Sequence, residues 1–276
     1  MSPELLGPPV LFVKLSGSLI TDKKRPETLR VEVTHRLARE LVEIHRERPG
    51  RLVLGHGSGS FGHAAAARFG FDPARSARGQ GRAVAAIQDA AARLHRHVAE
   101  ALIAAGGAPY SIVPGSAFRV EAGNAVLVAP RLLGDVLDSG MVPVVFGDVV
   151  TDTERMATIL STEALFLTLV RHLLDSGRRV EGVVWLGETP GLFDSTGDLV
   201  RELDAKSATA ISAEVSGASG VDVTGGMRLR LETVAQLSRL GVPSWIADGR
   251  SAESLRRLLS GAAEPCTFVR PAPIES

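Results

Sequence analysis

The chain has 276 residues, 45% of them hydrophobic, which is enough to bury a large core in one domain or in two joined lobes. Its 31 lysines and arginines balance 31 aspartates and glutamates, so the net charge gives no indication of a nucleic-acid partner or an anionic membrane. The single cysteine excludes an internal disulfide framework, and with no basic leader and no run of about 20 apolar residues we expect a cytoplasmic protein.

Five short apolar runs without in/out alternation predict strands that are buried on both faces. They cover residues 10–15, 51–55, 141–147, 180–187 and 242–249. Helix-length segments lie between them, at residues 31–48, 82–105, 160–176 and 228–240. This alternation predicts an α/β fold with a mainly parallel sheet and helices on both faces. Residues 212–226 are the most loop-like internal stretch.

The stretch KLSGSLITDKK, residues 14–24, leaves the first predicted strand. Lys14 ends the strand, Ser16-Gly17-Ser18 form a tight turn, and Lys23 lies nine residues after Lys14. Ligands gather outside the carboxyl ends of strands in such a sheet, so we expect this turn beside a binding site. By itself the stretch also fits an ordinary glycine turn flanked by two surface lysines.

The stretch GHGSGSFGH, residues 55–63, follows the second predicted strand. Gly57, Gly59 and Gly62 let backbone N–H groups approach a ligand closely. The AAAAR that follows is typical of a helix start, and a helix N-terminus attracts anions. The stretch lacks GxxxxGK[ST], which excludes a Walker A loop, and no acidic residue follows about 20 residues later, as a dinucleotide-binding fold requires. We therefore expect an anion site of another kind.

Two histidines border this glycine-rich stretch. His56 and His63 are seven residues apart with no third histidine or acidic ligand nearby, so we do not expect a zinc site. His56 at the strand end is interpreted as a brace for the loop. His63, at the predicted helix start, is placed where its ring would face a bound anion, and we interpret it as a ligand.

A third loop, VDVTGGMRLRLE at residues 221–232, leads into a predicted helix with Arg228 and Arg230 in its first turn. Cations at a helix N-terminus oppose the macrodipole, and a bound polyphosphate would relieve this cost. Arginines that are simply solvated on a surface helix are the alternative.

Together these loops resemble the amino acid kinase family, and within it the isopentenyl phosphate kinases. The resemblance rests on KLSGSLITDK (14–23), HGSGSFGH (56–63), GDVV (147–150), STE (161–163), GETPG (187–191) and DVTGGMRLR (222–230), in the family's order and spacing. It implies an open αβα sandwich with a mainly parallel central sheet, formed by a single domain of residues 1–276 and usually a homodimer. It also implies a phosphoryl-acceptor lobe at about residues 1–175 and a nucleotide-binding lobe at about residues 176–276.

The resemblance further implies an enzyme of isoprenoid biosynthesis that uses ATP and Mg²⁺ to convert isopentenyl phosphate to isopentenyl diphosphate. The implied catalytic residues are Lys14, Lys23 and His63. The implied acceptor-phosphate residues are Ser58, Gly62, His63 and Gly147. The implied nucleotide residues are Lys14, Gly17, Ser18, Gly59, Glu188, Gly225, Gly226 and Arg230. No protein residue is assigned to the metal.

Six positions depart from the family's usual pattern. Ser16 and Ser58 replace glycines, Glu163 replaces aspartate, Gly187-Glu188 replace threonine-aspartate, and Arg230 replaces lysine. A serine at a position that needs a positive φ costs on the order of 1 kcal/mol or more. Arginine keeps the charge of lysine but changes the reach and the donor geometry.

Three other activities compete with this interpretation. A fosfomycin-type kinase also resembles the SFGH element, but ITDK and DVTGGM favour the isoprenoid acceptor. An amino acid or carbamate kinase would leave His63 without a purpose. A non-catalytic nucleotide-binding regulatory protein would suit the altered nucleotide loops, whereas Lys14 and Lys23 argue against it.

The alkenyl tail of the acceptor needs an apolar slot. The candidates are Ile87 and Leu94 of the helix at residues 82–105, together with residues 110–118. Plain core packing is the alternative for these side chains.

Overall fold

A computed structural model of the chain describes residues 7–217, 225–262 and 264–273. Its strands are β1 (Val10–Leu15), β2 (Leu52–His56), β3 (Pro109–Ser111), β4 (Phe118–Glu121), β5 (Asn124–Leu127), β6 (Val142–Phe146), β7 (Asp148–Asp152), β8 (Met156–Leu160), β9 (Val180–Gly187), β10 (Glu202–Leu203), β11 (Ser244–Asp248) and β12 (Cys266–Val269). Its helices are α1 (Gly17–Ile20), α2 (Val31–Glu47), α3 (Gly59–Phe69), α4 (Gly81–Ala104), α5 (Pro114–Ala117), α6 (Pro130–Asp138), α7 (Thr162–Asp175), α8 (Ala205–Gly217), α9 (Gly225–Arg239) and α10 (Ser254–Leu259).

A central eight-stranded sheet has the order β10-β12-β11-β9-β1-β2-β6-β3. All its neighbouring strands run parallel except β11 and β12. The five strands predicted from apolar runs are β11, β9, β1, β2 and β6, which are consecutive in the middle of the sheet. They were visible in the sequence because helices cover them on both faces. The outer strands β3, β10 and β12 are short, and sequence periodicity did not predict them.

The hydrophobic core lies in two layers, one on each face of the central sheet. Successive side chains of β1 alternate between them: Phe12 joins Phe166, Leu169 and Trp185 in one layer. Leu11, Val13 and Leu15 join Leu37, Leu41 and Leu94 in the other. Helices α7 and α9 cover the first face, and α2 and α4 cover the second. The predicted α/β sandwich with a mainly parallel sheet is confirmed.

The four predicted long helices are α2, α4, α7 and α9, each within three residues of the expected bounds. Two other expectations were wrong in detail. Helix α3 begins at Gly59, so SFGH forms its first turns and precedes the expected start at Ala64. Helix α8 continues to Gly217, so residues 212–217 are helical rather than a loop, and residues 218–224 lie outside the described ranges.

A second sheet, with the order β5-β4-β7-β8, was not predicted. Its strands are four or five residues long, and β7 follows β6 after Gly147 alone. Antiparallel pairing joins β4 to β5 and β7 to β8. None of the described helices is long and apolar enough to cross a membrane.

Candidate active site

Two glycine turns meet at the carboxyl ends of the neighbouring strands β1 and β2. A Cβ atom added to Gly17 would lie 2.5 Å from Gly59 Cα and 2.6 Å from Gly59 N, and one added to Gly57 would lie 3.0 Å from Gly17 N. Gly59 also has a φ of +52°, which side chains rarely adopt. The two backbones therefore pack directly on each other, which requires glycine at positions 17 and 59.

Thr21, in the ITDK element, ties the two turns together. Its hydroxyl donates a 2.7 Å hydrogen bond to Gly17 O and accepts one of 3.0 Å from Ser60 N. Thr21 is fully buried. No feature of the sequence distinguishes this residue from the rest of the ITDK element.

Four backbone N–H groups in these turns have no hydrogen-bond partner within the described ranges. They belong to Gly17, Ser18, Ser58 and Gly59. The amides that follow are committed to the fold: Phe61 N and Gly62 N each donate to Ser58 O at 3.2 Å. Open amides in glycine turns and at a helix N-terminus are of the kind that binds phosphate oxygens.

The two serines that replace family glycines cause no backbone strain. Ser16 has φ −61° and Ser58 has φ −73°, both in regions open to any residue. Ser58 instead constrains Gly62, because a Cβ atom at position 62 would lie 2.5 Å from Ser58 Oγ. The role of Gly62 is therefore to make room for the Ser58 side chain.

A buried charge cluster lies beside the turns. Lys14 Nζ donates a hydrogen bond to Glu163 Oε1, and Arg230 Nη2 lies 3.6 Å from the same oxygen. Arg230 Nη2 also donates a 2.9 Å hydrogen bond to Ser16 Oγ. Lys14, Glu163 and Arg230 are only 5%, 4% and 7% exposed. Three positions that depart from the family pattern, Ser16, Glu163 and Arg230, thus meet in one contact network.

The cluster carries one net positive charge. Burial lowers the pKa of Lys14 from 10.5 to about 8, with the attraction of Glu163 working against the shift and the repulsion of Arg230 adding to it. Burial also lowers the pKa of Arg230. Burial opposes ionisation of Glu163, but the charges of Lys14 and Arg230 outweigh it and lower the pKa of that carboxyl group. At neutral pH two buried cations therefore share one carboxylate, an arrangement that favours an incoming anion.

Trp185 of β9 lies next to both cations of this cluster. Lys14 Nζ and Arg230 Cζ each lie 5.9 Å from the centroid of its ring system. Such cation–π contacts favour the charged form of both side chains. No feature of the sequence distinguished Trp185 from an ordinary core residue.

The other expected acceptor-side residues are placed less centrally. His63 is exposed on the second turn of α3, and Lys23 is exposed between α1 and α2. Neither side chain has a hydrogen bond or ion pair within the part of the chain that the structure describes. Gly147 is buried, and its N–H donates 3.1 Å to His56 O, so this amide is already in use.

On the expected nucleotide side, Glu188 follows β9 and accepts a 2.7 Å hydrogen bond from Arg30 Nη1. Gly225 and Gly226 begin α9, whose next turn carries Arg230. The residues before them, Asp222 to Thr224, lie outside the described ranges. Arg230 is buried in the charge cluster, whereas Arg228 is exposed and pairs with Glu232 at 3.0 Å.

The residues proposed for an apolar slot are mostly core. Ile87 and Leu94 are buried in the layer between α4 and the sheet. Phe118 lies in the core on the opposite face. Core packing therefore accounts for these three side chains.

Residues 9–248 match the model of the amino acid kinase family. The chain belongs to the amino acid kinase family. It is 33% identical over 261 residues to an isopentenyl phosphate kinase of Haloferax volcanii, which spans 95% of this chain and 98% of that relative. It is 30% identical over 264 residues to an isopentenyl phosphate kinase of Methanothermobacter thermautotrophicus, with 91% and 96% covered.

Solved structures agree with this family assignment. An isopentenyl phosphate kinase structure superposes with a TM-score of 0.75 at 25% identity, covering 94% of this chain and 99% of that one. A substrate complex of an isopentenyl phosphate kinase, 22% identical, gives a TM-score of 0.72 over 95% and 100% of the two chains, and it shows the same fold. The open αβα sandwich implied by the sequence motifs is the fold of these family members.

Proposed function

We propose that this protein is an isopentenyl phosphate kinase, which transfers the γ-phosphoryl group of ATP to isopentenyl phosphate and yields isopentenyl diphosphate and ADP. The observation that carries the proposal is the buried, net positive cluster of Lys14, Glu163 and Arg230 beside four open backbone amides. The relatives that span nearly the whole chain bear the same name. The protein is then a phosphotransferase of isoprenoid biosynthesis, and we place it in a mevalonate pathway.

The reaction needs no general base. A phosphomonoester is already ionised near neutral pH, so its oxygen is a ready nucleophile. The barrier is the approach of two anions and the charge on the moving phosphoryl group. Positioning and charge neutralisation therefore supply the catalysis.

Lys14 and Arg230 supply the charge from opposite parts of the fold. Lys14 comes from the end of β1 and Arg230 from α9, and both face Glu163. We assign Lys14 to the transferring phosphoryl group and Arg230 to the ATP phosphates. Glu163 holds the two cations together until a phosphate competes for them. Its negative charge also lowers the electrostatic cost of burying two like charges.

The acceptor phosphate is assigned to the open N-terminus of α3. The amide and the hydroxyl of Ser58 are assigned to this phosphate as donors, since the Ser58 N–H is one of the open amides. His63 on the next turn is assigned to an oxygen of the same phosphate, and Lys23 on the preceding loop to the transferring group. Gly17, Ser18, Gly59, Glu188, Gly225 and Gly226 are assigned to the nucleotide side.

The described residues offer no group of three histidine, cysteine, aspartate or glutamate side chains that could hold a metal ion. We assign Mg²⁺ to the phosphates of ATP, since magnesium usually keeps several waters and takes few protein ligands. Bound there, it would neutralise charge on the nucleotide phosphates. Glu163 is the carboxylate of the charge cluster, although Lys14 and Arg230 already occupy it.

We further infer a single domain with an acceptor lobe at about residues 1–175 and a nucleotide lobe at about residues 176–276. The central sheet draws β1, β2, β3 and β6 from the first segment and β9 to β12 from the second. We infer a homodimer in the cytoplasm, as the family resemblance implies. Size-exclusion chromatography with light scattering measures the oligomeric state.

An assay of ADP release tests the proposed reaction. The purified protein is supplied with ATP and Mg²⁺ and, in parallel, with isopentenyl phosphate, dimethylallyl phosphate, fosfomycin, glutamate or aspartate. We expect turnover with isopentenyl phosphate and little with fosfomycin or the amino acids. Turnover with fosfomycin alone would make it a phosphonate kinase, and ATP binding without turnover of any acceptor would make it a regulatory protein.

A further inference from the structure

Three polar side chains form a chain of hydrogen bonds that ends at the glycine-rich turn. His56 Nδ1 lies 3.1 Å from Gly57 O, and His56 Nε2 lies 3.2 Å from His95 Nδ1. His95 Nε2 lies 2.6 Å from Ser111 Oγ. The chain thus runs from the edge strand β3, through α4, to the turn after β2. The reaction described above uses neither histidine.

The surroundings hold both rings in place. His56 is fully buried, and its own carbonyl accepts from Thr162 Oγ1 at 2.7 Å and from Gly147 N at 3.1 Å. The ring of Phe146 stacks on both, at 4.4 Å from the His95 centroid and 5.5 Å from the His56 centroid. Rotation of either imidazole would therefore disturb close packing.

The Gly57 carbonyl at one end of this chain of hydrogen bonds sets the direction of all the others. Both rings are neutral near pH 7, because burial lowers the pKa of His56 to about 3 and that of His95 to about 4. Gly57 O can only accept, so the His56 proton is on Nδ1 and its Nε2 accepts. His95 must then donate from Nδ1, and its Nε2 accepts from the Ser111 hydroxyl.

This hydrogen-bond order fixes the orientation of the peptide group between Gly57 and Ser58. In a planar trans peptide the C=O and N–H bonds point in opposite directions. Because His56 holds the Gly57 carbonyl, the N–H of Ser58 in the same peptide is turned away from His56. That N–H is one of the open amides at the N-terminus of α3.

We propose that His56 and His95 are positioning residues that hold the Gly57–Ser58 peptide with its N–H toward the acceptor phosphate. The inference rests on the proposed function for the identity of the phosphate, but the proton arrangement can be measured without it. A peptide that flips would replace an N–H donor with a carbonyl oxygen facing an anion, so a fixed orientation matters most for acceptor binding.

Paired substitutions of His95 test this role. His95→Leu removes the donor to His56, whereas His95→Asn places an amide nitrogen near the position of Nδ1. We expect His95→Leu to raise KM for isopentenyl phosphate about tenfold, with a smaller change in kcat, and His95→Asn to stay within about threefold of the unmodified enzyme. An unchanged KM in folded His95→Leu, or equal loss in both variants, would overturn the proposal.

His45→Leu is a matched control. His45 is also a buried histidine that binds a backbone carbonyl, Gly140 O at 3.0 Å, but Gly140 precedes the amino end of β6, whereas the glycine turns follow the carboxyl ends of β1 and β2. We expect it to lower the melting temperature as His95→Leu does and to leave KM for isopentenyl phosphate unchanged. A comparable rise in KM would show that loss of stability, rather than lost positioning, explains His95→Leu.

Nitrogen-15 NMR of the imidazoles, in unmodified protein, separates this inference from the proposed function. We expect His56 protonated on Nδ1 and His95 protonated on Nδ1, and we expect inorganic phosphate to shift the Ser58 and Gly59 amide resonances. His56 protonated on Nε2 would overturn the inference even in an active kinase. If the protein shows the expected tautomers but does not phosphorylate isopentenyl phosphate, the proposed hydrogen-bond chain stands and the proposed activity is rejected.

Discussion

Arg230 Nη2 donates a 2.9 Å hydrogen bond to Ser16 Oγ, joining α9 to the turn after β1. Both positions depart from the family's usual residues, which are lysine and glycine. Glycine has no side-chain acceptor for this hydrogen bond, and lysine differs from arginine in reach and donor geometry. The two departures therefore belong to one contact.

A double-mutant cycle on this pair measures the contact. We expect Ser16→Gly to raise KM for ATP about fivefold, because the buried guanidinium loses a hydrogen-bond partner. In an Arg230→Lys background the same change should have a clearly smaller effect, with a coupling free energy of about 1 kcal/mol. Initial-rate kinetics over ATP concentration provide the values.

Ser176→Ala serves as the control for that cycle, since its hydroxyl binds Leu173 O at the far end of α7. Its KM for ATP should equal that of the unmodified protein. Strictly additive effects of Ser16→Gly and Arg230→Lys would show that the two residues act independently.

The pH dependence of the reaction follows from Lys14. Its pKa in the free protein is about 8, so kcat/KM for ATP should fall as the pH rises through about 8 and the ammonium group loses its proton. A bound phosphate favours the charged form, so kcat should fall only at higher pH. Rate profiles between pH 6 and about 10 measure both limbs.

Lys14→Arg should be slower but should lack the alkaline fall in rate, because guanidinium does not titrate in this range. If the alkaline limb is unchanged in Lys14→Arg, it belongs to another group.

The lowered pKa of Lys14 also makes the stability of the protein depend on pH. Between about pH 8 and 10.5 the unfolded chain binds more protons at position 14 than the folded chain, so the Lys14 contribution to the free energy of unfolding rises with pH.

The exposed histidine of α3 is expected to select the acceptor. His63→Ala should lower kcat/KM for isopentenyl phosphate about 100-fold, because a donor to the acceptor phosphate is lost. Nucleotide affinity, measured by calorimetry with ADP, should change less than about twofold. His35→Ala, on α2, is the control and should leave both quantities unchanged. Full turnover in His63→Ala would remove this residue from the site.

The contact between the glycine turns predicts a stability change. Gly17→Ala would force a methyl group to within 2.5 Å of Gly59 Cα, so we expect the free energy of unfolding to fall by about 1–3 kcal/mol and activity to be lost. Gly81→Ala, at the first residue of α4, meets nothing within 4 Å and should not lower stability. Urea unfolding of both variants checks the difference. Equal stability of the two would contradict the close backbone contact.

The motifs singled out several residues that the fold brings together, and the charge network contains others that they did not indicate. Lys14 and Arg230 were both expected near phosphate, but Ser16 and Glu163 were recognised only as departures from the family pattern. Trp185, Thr21 and His95 gave no signal as site residues. Each is an ordinary residue in its own strand or helix and joins the site through a partner distant in sequence.

By itself the sequence determined the five central strands and four long helices. Burial on two faces leaves an unbroken apolar run in a strand, and burial of one stripe leaves a helical apolar period. Only the tertiary structure decided that Lys14 meets Glu163 across 149 positions and that Ser16 meets Arg230 across 214. Those contacts depend on the order of β1, β2 and β9 in the sheet. Local periodicity does not encode strand order, and the reach of a buried side chain is set only once its neighbours are in place.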